Sequence, residues 1–240
     1  MTWSIVIHDP ASGAFAVAVT TCNLAVGASC PFVRAGVGAV STQSMTNRYL
    51  GPAILDALAR GLSPAAAIEG ALAGDDGAHL RQVHAVDRHG RTAAWTGRHC
   101  VDWCGSEDAP FISVAGNMLA GADVVPATLA AMLGGDASAA LPVRLLHAMM
   151  AGQSAGGDRR GRQSAAMVLT TTEDFPDLDL RVDDHADPLI ELDRLYGLWM
   201  QQAAPGVHTR PRKSAPSGLI DLDAIEAGWA ARGLDLRLRR

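Results

Sequence analysis

Residues 2–22, TWSIVIHDPASGAFAVAVTTC, decide the fold. Trp3, Ile5 and Ile7 alternate with Ser4, Val6 and His8, the run Pro10-Ala11-Ser12-Gly13 interrupts, and Phe15, Val17 and Val19 resume the alternation. A period of two on both sides of a Pro and Gly turn predicts a β-hairpin, and its many β-branched and apolar residues predict a buried one. Chain termini ordinarily fray. Here the terminus is expected inside a sheet, and that placement has a chemical use. Removal of Met1 leaves Thr2 with a free α-amine beside its own hydroxyl. With a pKa of about 8, such an amine is partly unprotonated near neutral pH and can take the hydroxyl proton. Without that chemistry Thr2 is simply a β-former at the head of a strand.

The 240 residues are 48% hydrophobic and 19% charged, which suits one sizeable core with a short appendage. Abundant Ala and Gly with few aromatics favour close packing of helix on sheet. A net charge of −5 argues against a nucleic-acid surface. There is no apolar run of about 18 residues and no basic start with a cleavage site, so a cytoplasmic protein without a membrane partner is expected. Cys22, Cys30, Cys100 and Cys104 match no zinc spacing and read as small buried hydrophobes. Asp183-Asp184-His185 invites a metal, but Asp187 with Pro188 makes the segment an ordinary helix start. No metal and no cofactor are expected.

Beyond the hairpin, residues 35–42 (AGVGAVST) read as a buried strand, followed by helices over 49–59 and 65–73, the second opened by Ser63 and Pro64. Residues 81–87 and 92–97 predict another hairpin, with further strands at 100–103 and 111–114. Helices at 123–133 and 139–151, strands at 167–171 and 178–182, and a helix at 189–201 complete the body. Residues 203–218, rich in Pro and basic side chains, read as a linker, and 219–240 as one amphipathic helix. The expected organisation is therefore a body at 1–202, a linker at 203–218 and a helical tail at 219–240.

Polar clusters sit where strands end. Gln43 and Asn47 follow the strand at 35–42, with capping of the next helix as the plainer role for Asn47. Asn117 ends a later strand. The segment 153–166 (QSAGGDRRGRQSAA) is rich in Gly and charge. The amides of Gly156 and Gly157 can face a ligand without Cβ interference, and Arg159, Arg160 and Arg162 can bind a carboxylate. A solvated basic loop is the plainer reading.

The order of elements suits two antiparallel sheets covered by helix pairs, an α+β four-layer αββα sandwich. At Thr2-Trp3-Ser4-Ile5, the 35–43 run, Arg81-Gln82-Val83, Gly116-Asn117-Met118-Leu119, the 156–161 run GGDRRG with Gln163-Ser164-Ala165, and the 180–184 run LRVDD, the chain resembles the bacterial domain-of-unknown-function family 1028. That family is similar to N-terminal nucleophile (Ntn) hydrolases, the superfamily of the proteasome β subunit and penicillin acylase. The resemblance covers roughly residues 2–202. It implies the αββα sandwich, with a nucleophile at the start of the first strand facing the cleft between the sheets.

Together these readings point to an amidohydrolase acting on a small amide, ureido or imide substrate. Thr2 would be the nucleophile, its α-amine the base, and Ser4 and Ser164 would assist the amine. The oxyanion donors would be Gly156 and Gly157 or Asn117, while Gln43, Asn47, Asp158, Arg159 and Arg162 would hold a carboxylate-bearing substrate. A homodimer is the expected assembly. The alternative is a non-catalytic metabolite-binding protein on the same scaffold. A third reading makes Cys22 or Cys30 the nucleophile with His8 as base.

Overall fold

The computed structural model describes residues 2–233; Met1, whose removal the free-amine reading requires, and residues 234–240 of the expected tail helix lie outside them. The chain divides into two units, residues 1–192 and 193–240.

In the first unit, β1 (Thr2–Asp9) and β2 (Ala14–Thr21) form the opening hairpin in register, Trp3 opposite Thr20 and His8 opposite Phe15. They lie in the middle of a six-stranded antiparallel sheet with β7 (Gly105–Ala109), β8 (Ile112–Asn117), β9 (Ser164–Thr170) and β10 (Leu178–Val182), in the order β10-β9-β2-β1-β8-β7. A four-stranded antiparallel sheet holds β3 (Pro31–Arg34), β4 (Gly38–Ser44), β5 (Arg81–Asp87) and β6 (Thr92–Thr96), in chain order. Six α-helices are present among the described residues.

Helices α1 (Leu50–Ala59) and α2 (Pro64–Leu72) pack on the smaller sheet, where Ile54, Leu55, Leu58 and Ile68 meet Val40, Val83 and Ala85. Ser63 caps α2 through the amide of Ala66, as its Ser-Pro start requires. Helices α3 (Val124–Gly134) and α4 (Leu141–Ser154) pack on the larger sheet. The other faces of the two sheets meet each other through Val6, Phe15 and Val17 from one sheet and Ala39 and Val86 from the other. Alternation along β1 therefore sends Trp3 toward α4 and Ser4 toward the second sheet.

Three expectations are corrected. The strand expected at 100–103 is a loop, and β7 follows it at Gly105–Ala109, an edge strand of sequence GSEDA with three exposed residues and hence no apolar alternation to read. The single run at 35–42 is a turn leading into β4, preceded by β3, which the mixed composition of 24–33 concealed. The Gly-rich segment is shorter than its composition suggested, because α4 continues to Ser154 and β9 begins at Ser164.

Helix α5 (Pro188–Gln202) runs from the first unit into the second. Within the second unit, the stretch expected as linker holds a 3₁₀ helix at Ala204–Thr209 and a bridge between Arg212 and Ala215. Asp221 caps α6 (Leu222–Ala230), accepting from the amides of Asp223 and Ala224. Trp229 of α6 lies over Gly206, and Arg232 donates to the carbonyl of Pro205.

Gly152 lets α4 approach β1. A Cβ there would overlap Thr128 Oγ1 and come within 3.0 Å of Trp3 Nε1. Alanine gains roughly 1 kcal/mol of helix propensity over glycine, against an overpacking cost of about 1–3 kcal/mol at a site without slack. Gly152→Ala is therefore expected to lower stability in urea unfolding, and adding Thr128→Ala to restore part of the loss.

Candidate functional site

The registers place the start of β1 and β9, the end of β2 and the end of β8 at one end of the larger sheet. Thr21 pairs with Ser164, Thr2 pairs with Asn117, and Thr2 Oγ1 lies 3.2 Å from Thr21 Oγ1. Ser164, Thr21, Thr2 and Asn117 thus form one cross-strand row, all buried and all polar. Facing them from the smaller sheet are Gln43 at the end of β4 and Gln82 at the start of β5. The loops at this end cover residues 22–30, 45–49, 73–80, 97–104, 118–123 and 155–163. Tight hairpin turns close much of the opposite end, at 10–13, 35–37, 88–91 and 110–111. Of the four non-glycine residues with positive φ among the described residues, Ser44 and Met118 stand where strands give way to the longer loops and Ala25 lies within one of those loops, while Phe111 is in a tight turn at the opposite end. Such backbone clusters at functional sites.

Hydrogen bonds fill the space between the sheets at this end. Gln43 Nε2 donates to Gln82 Oε1 at 2.8 Å, to the Ala115 carbonyl at 3.1 Å, and to the Thr2 carbonyl at 3.5 Å. Asn117 Nδ2 donates to Gln82 Oε1 at 2.9 Å and to the same Thr2 carbonyl at 3.5 Å. Gln82 Nε2 donates to the Gly116 carbonyl, to Thr96 Oγ1 and to the Gly105 carbonyl. Deeper in, Ser4 Oγ lies 2.7 Å from His84 Nε2, 2.9 Å from Gln43 Oε1 and 3.0 Å from Ser41 Oγ. His84 Nδ1 lies 2.9 Å from Ser113 Oγ. Every side chain in this set is buried except Thr96, which is half-buried. A buried polar group left without a partner costs about 1–3 kcal/mol, so such a set persists only when fully paired.

Burial pushes the His84 imidazole down to about 3, with a hydrogen bond that the charged ring would donate to the Ser113 backbone offsetting part of the shift. It is therefore neutral at physiological pH.

Of the residues singled out from sequence, Thr2, Ser4, Gln43 and Asn117 come together in this network. Ser164 is next in the row, and its hydroxyl donates to the Asn23 carbonyl at 2.6 Å and accepts from the Val26 amide, holding the 22–26 loop. Gly156 and Gly157 have positive φ, and their amides donate to the carbonyls of Gln153 and Gly152. They terminate α4 in the manner of glycine C-caps. Asp158 is buried, and its carboxylate accepts from the amides of Cys22 and Arg160, each at 2.8 Å. It fastens the 156–161 turn to the end of β2. Arg159 is exposed on that turn, while Arg162 pairs with Asp187 at 2.6 Å. Asn47 donates to Asp75 at 2.7 Å and accepts from the Tyr49 amide. Arg81 grips the same Asp75 through Nε and Nη2, and this pairing holds its carboxyl well below the usual carboxylate range. The cluster clamps 45–49 to 75–81.

The cysteine reading fails on geometry. His8 stacks on Phe15 at the far end of the hairpin from Cys22, and burial raises the Cys30 thiol to about 11. No group of three or more His, Cys, Asp or Glu side chains among the described residues is placed to hold a metal ion. No helix among them is long and apolar enough to cross a membrane.

Thr21, Ser41, Gln82, His84 and Ser113 escaped the sequence reading. Their signal is a polar residue at alternate positions of otherwise apolar strands, which normally marks a solvent face. Here both faces are covered.

The class this defines is a mixed α/β protein with two antiparallel sheets and a polar, buried site at its N-terminal strand. The chain belongs to the DUF1028 family, a family of unknown function, whose model matches residues 2–192. Protein SPO2555 from Silicibacter pomeroyi, a DUF1028 crystal structure, is 31% identical with a TM-score of 0.85, over 92% of this chain and 96% of that one. Anbu (ancestral β-subunit) from Yersinia bercovieri is 10% identical with a TM-score of 0.38, over 82% of this chain and 94% of that one, too remote to bear on the fold. No curated protein matches the chain.

The His84 environment predicts an acid dependence. Between pH 6.5 and about 3 the unfolded chain binds a proton at residue 84 that the folded chain excludes. Stability is therefore full above 6.5 and falls as pH drops, by up to about 1.4 kcal/mol per pH unit. His8, also lowered chiefly by burial, acts in the same sense. Urea midpoints of the wild type should fall more between pH 7 and 4.5 than those of His84→Gln, which lacks the His84 component.

Proposed function

We propose that this protein is an Ntn-type amidohydrolase, its two sheets and their outer helices forming the αββα sandwich of that superfamily, with Thr2 as nucleophile. The observation that carries the reading is the placement of Thr2: its hydroxyl lies in a buried polar row, and its carbonyl receives two side-chain amides. A nucleophile that uses its own α-amine as base needs a backbone fixed at the terminus. The family's resemblance to Ntn hydrolases supplies the mechanism. After Met1 removal, Thr2 Oγ1 attacks a carboxamide carbon and its proton passes to the α-amine. The amine returns that proton to the leaving nitrogen, and water hydrolyses the acyl-enzyme.

The amides of Gly156 and Gly157 are engaged by α4. That leaves Asn117 Nδ2 as the better oxyanion donor, since its 3.5 Å contact with the Thr2 carbonyl is weak enough to exchange for a substrate oxygen. Gln43 and Asp158 hold the surrounding backbone. Arg159 is the residue for a substrate carboxylate, with Arg162 reaching it in exchange for Asp187. Asn47 shapes the rim through Asp75.

The test is turnover of small amides, ureido acids and cyclic imides by protein whose intact mass shows Met1 removed. Thr2→Ala is expected to abolish turnover while the fold persists by circular dichroism. Asn117→Ala is expected to lower kcat by roughly 10²–10³-fold, the usual loss for one oxyanion donor. Activity in protein that retains Met1, or turnover indifferent to Thr2→Ala, removes Thr2 from the mechanism. Ligand binding that survives Thr2→Ala without any turnover in the wild type favours the binding-protein alternative.

A further inference from the structure

His84 is a buried titratable side chain that the mechanism above does not use. Proton counting around it has one solution. The acceptors of Gln43 Nε2 include the Ala115 carbonyl, so its amide is oriented with Oε1 toward Ser4. Oε1 can only accept, and at 2.9 Å from Ser4 Oγ it requires the Ser4 hydroxyl proton. With its one proton committed, Ser4 Oγ must accept from its other neighbours, Ser41 Oγ at 3.0 Å and His84 Nε2 at 2.7 Å. His84 Nε2 is then the protonated nitrogen. Nδ1 is bare and accepts from the Ser113 hydroxyl at 2.9 Å. The reverse tautomer would leave two lone pairs facing each other between Ser4 and Gln43.

We propose that His84 is a positioning residue. Held as the neutral Nε2–H tautomer between Ser113 and Ser4, it sets the direction of a hydrogen-bond chain that ends on the Thr2 carbonyl. The chain runs from Ser113 through His84, Ser4 and Gln43 to Thr2, and each member donates to the next. Gln82 ties it sideways to Asn117, which donates to the same carbonyl. A serine, a histidine and a serine in this order can be mistaken for a catalytic relay. The hydroxyl bonded to the imidazole belongs to Ser4, however, which is committed to Gln43 and is completely buried. Its consequence for turnover rests on Thr2 being the nucleophile, whereas the direction of the chain does not.

The first measurement is the imidazole ¹⁵N spectrum of full-length protein labelled at its eight histidines, with the His84 signals assigned by their loss in His84→Gln. A protonated Nε2 and a bare Nδ1, unchanged between pH 8 and 5, are expected. In Ser113→Ala the Nδ1 resonance should move while Nε2 stays protonated. An Nδ1–H tautomer, a titration within that range, or an Nδ1 resonance indifferent to Ser113→Ala overturns the proposal, whether or not the protein turns over any amide.

The second measurement separates positioning from mere packing. His84→Leu keeps apolar volume and removes the donor to Ser4, and is expected to lower kcat by about tenfold to a hundredfold with KM nearly unchanged, the scale of a small misplacement at the reacting centre. His84→Gln, which retains an N–H reaching toward Ser4, should recover most of that loss. Equal kcat in His84→Leu and wild type overturns the positioning role. A wild type without turnover overturns the amidohydrolase reading instead and leaves the spectroscopic test standing.

Discussion

At one end the contact between the two sheets is made of hydrogen bonds, and at the other it is made of apolar side chains. At the hairpin-turn end Val6, Phe15, Val17, Ala39 and Val86 pack as any sandwich core does. At the other end Ser4, Ser41, Gln43, Gln82, His84, Ser113 and Asn117 take over the same facing positions. Apolar contacts tolerate sliding, whereas this set does not. A one-residue slip of β4 against β5 would turn Ser41 and Gln43 toward α1 and Val40 toward the other sheet, and strand several buried donors at once. Polarity at this end therefore fixes the register between strands and the alignment between sheets more sharply than hydrophobic burial does.

That constraint bears most on residue 2. A first strand in the middle of a six-stranded sheet is paired on both sides, so opening it requires breaking two ladders. The side-chain amides of Gln43 and Asn117 add a third hold on the Thr2 carbonyl. The outcome is a terminus with the order of a core residue and an inventory of neutral neighbours. The first unit contains no lysine, so none of its side chains around Thr2 carries an ammonium group.

The opening hairpin, both central sheets and the α1–α2 pair were legible because each carries its own local signal. The hairpin has its period of two around Pro-Ala-Ser-Gly, and α2 has its Ser-Pro start. The strands that escaped, β3 and β7, lie at sheet edges, where one side of the ladder needs no partner and the apolar alternation is weak. The network was half legible. Thr2, Ser4, Gln43 and Asn117 drew attention by position or resemblance, but Gln82 and His84 alternate with Val83 and Ala85 in a pattern that equally describes a strand with one wet face. Only the packing of a second sheet over that face makes them interior. Gly156 and Gly157 illustrate the opposite ambiguity. A glycine pair after a helix serves equally as an anion-facing turn and as a helix stop, and the two uses compete for the same amide protons.

The loops above the polar end are themselves fastened, and this bears on how any ligand meets the site. Asp158 closes the 156–161 turn onto the Cys22 amide, Ser164 holds 22–26, and Asp75 binds Asn47 and Arg81 across two loops. These are carboxylates and hydroxyls spent on backbone and on one another, so a residue such as Asp158, conspicuous in sequence, serves the rim more than the ligand. Exposed on those loops are the guanidinium groups of Arg48, Arg98, Arg159 and Arg160, the carboxyls of Asp76, Asp102 and Asp123, and the apolar side chains of Leu24, Met45, Tyr49 and Val101. On the amidohydrolase proposal, a rim that mixes guanidinium, carboxylate and apolar groups over an interior of uncharged donors and acceptors would take a small substrate with an anionic end and a neutral polar head. On that proposal an anionic end would stay at the edge, where water screens an ion pair and desolvating it costs little. A neutral head would be what a fully paired interior accepts, since it exchanges one hydrogen bond for another without bringing a charge inside.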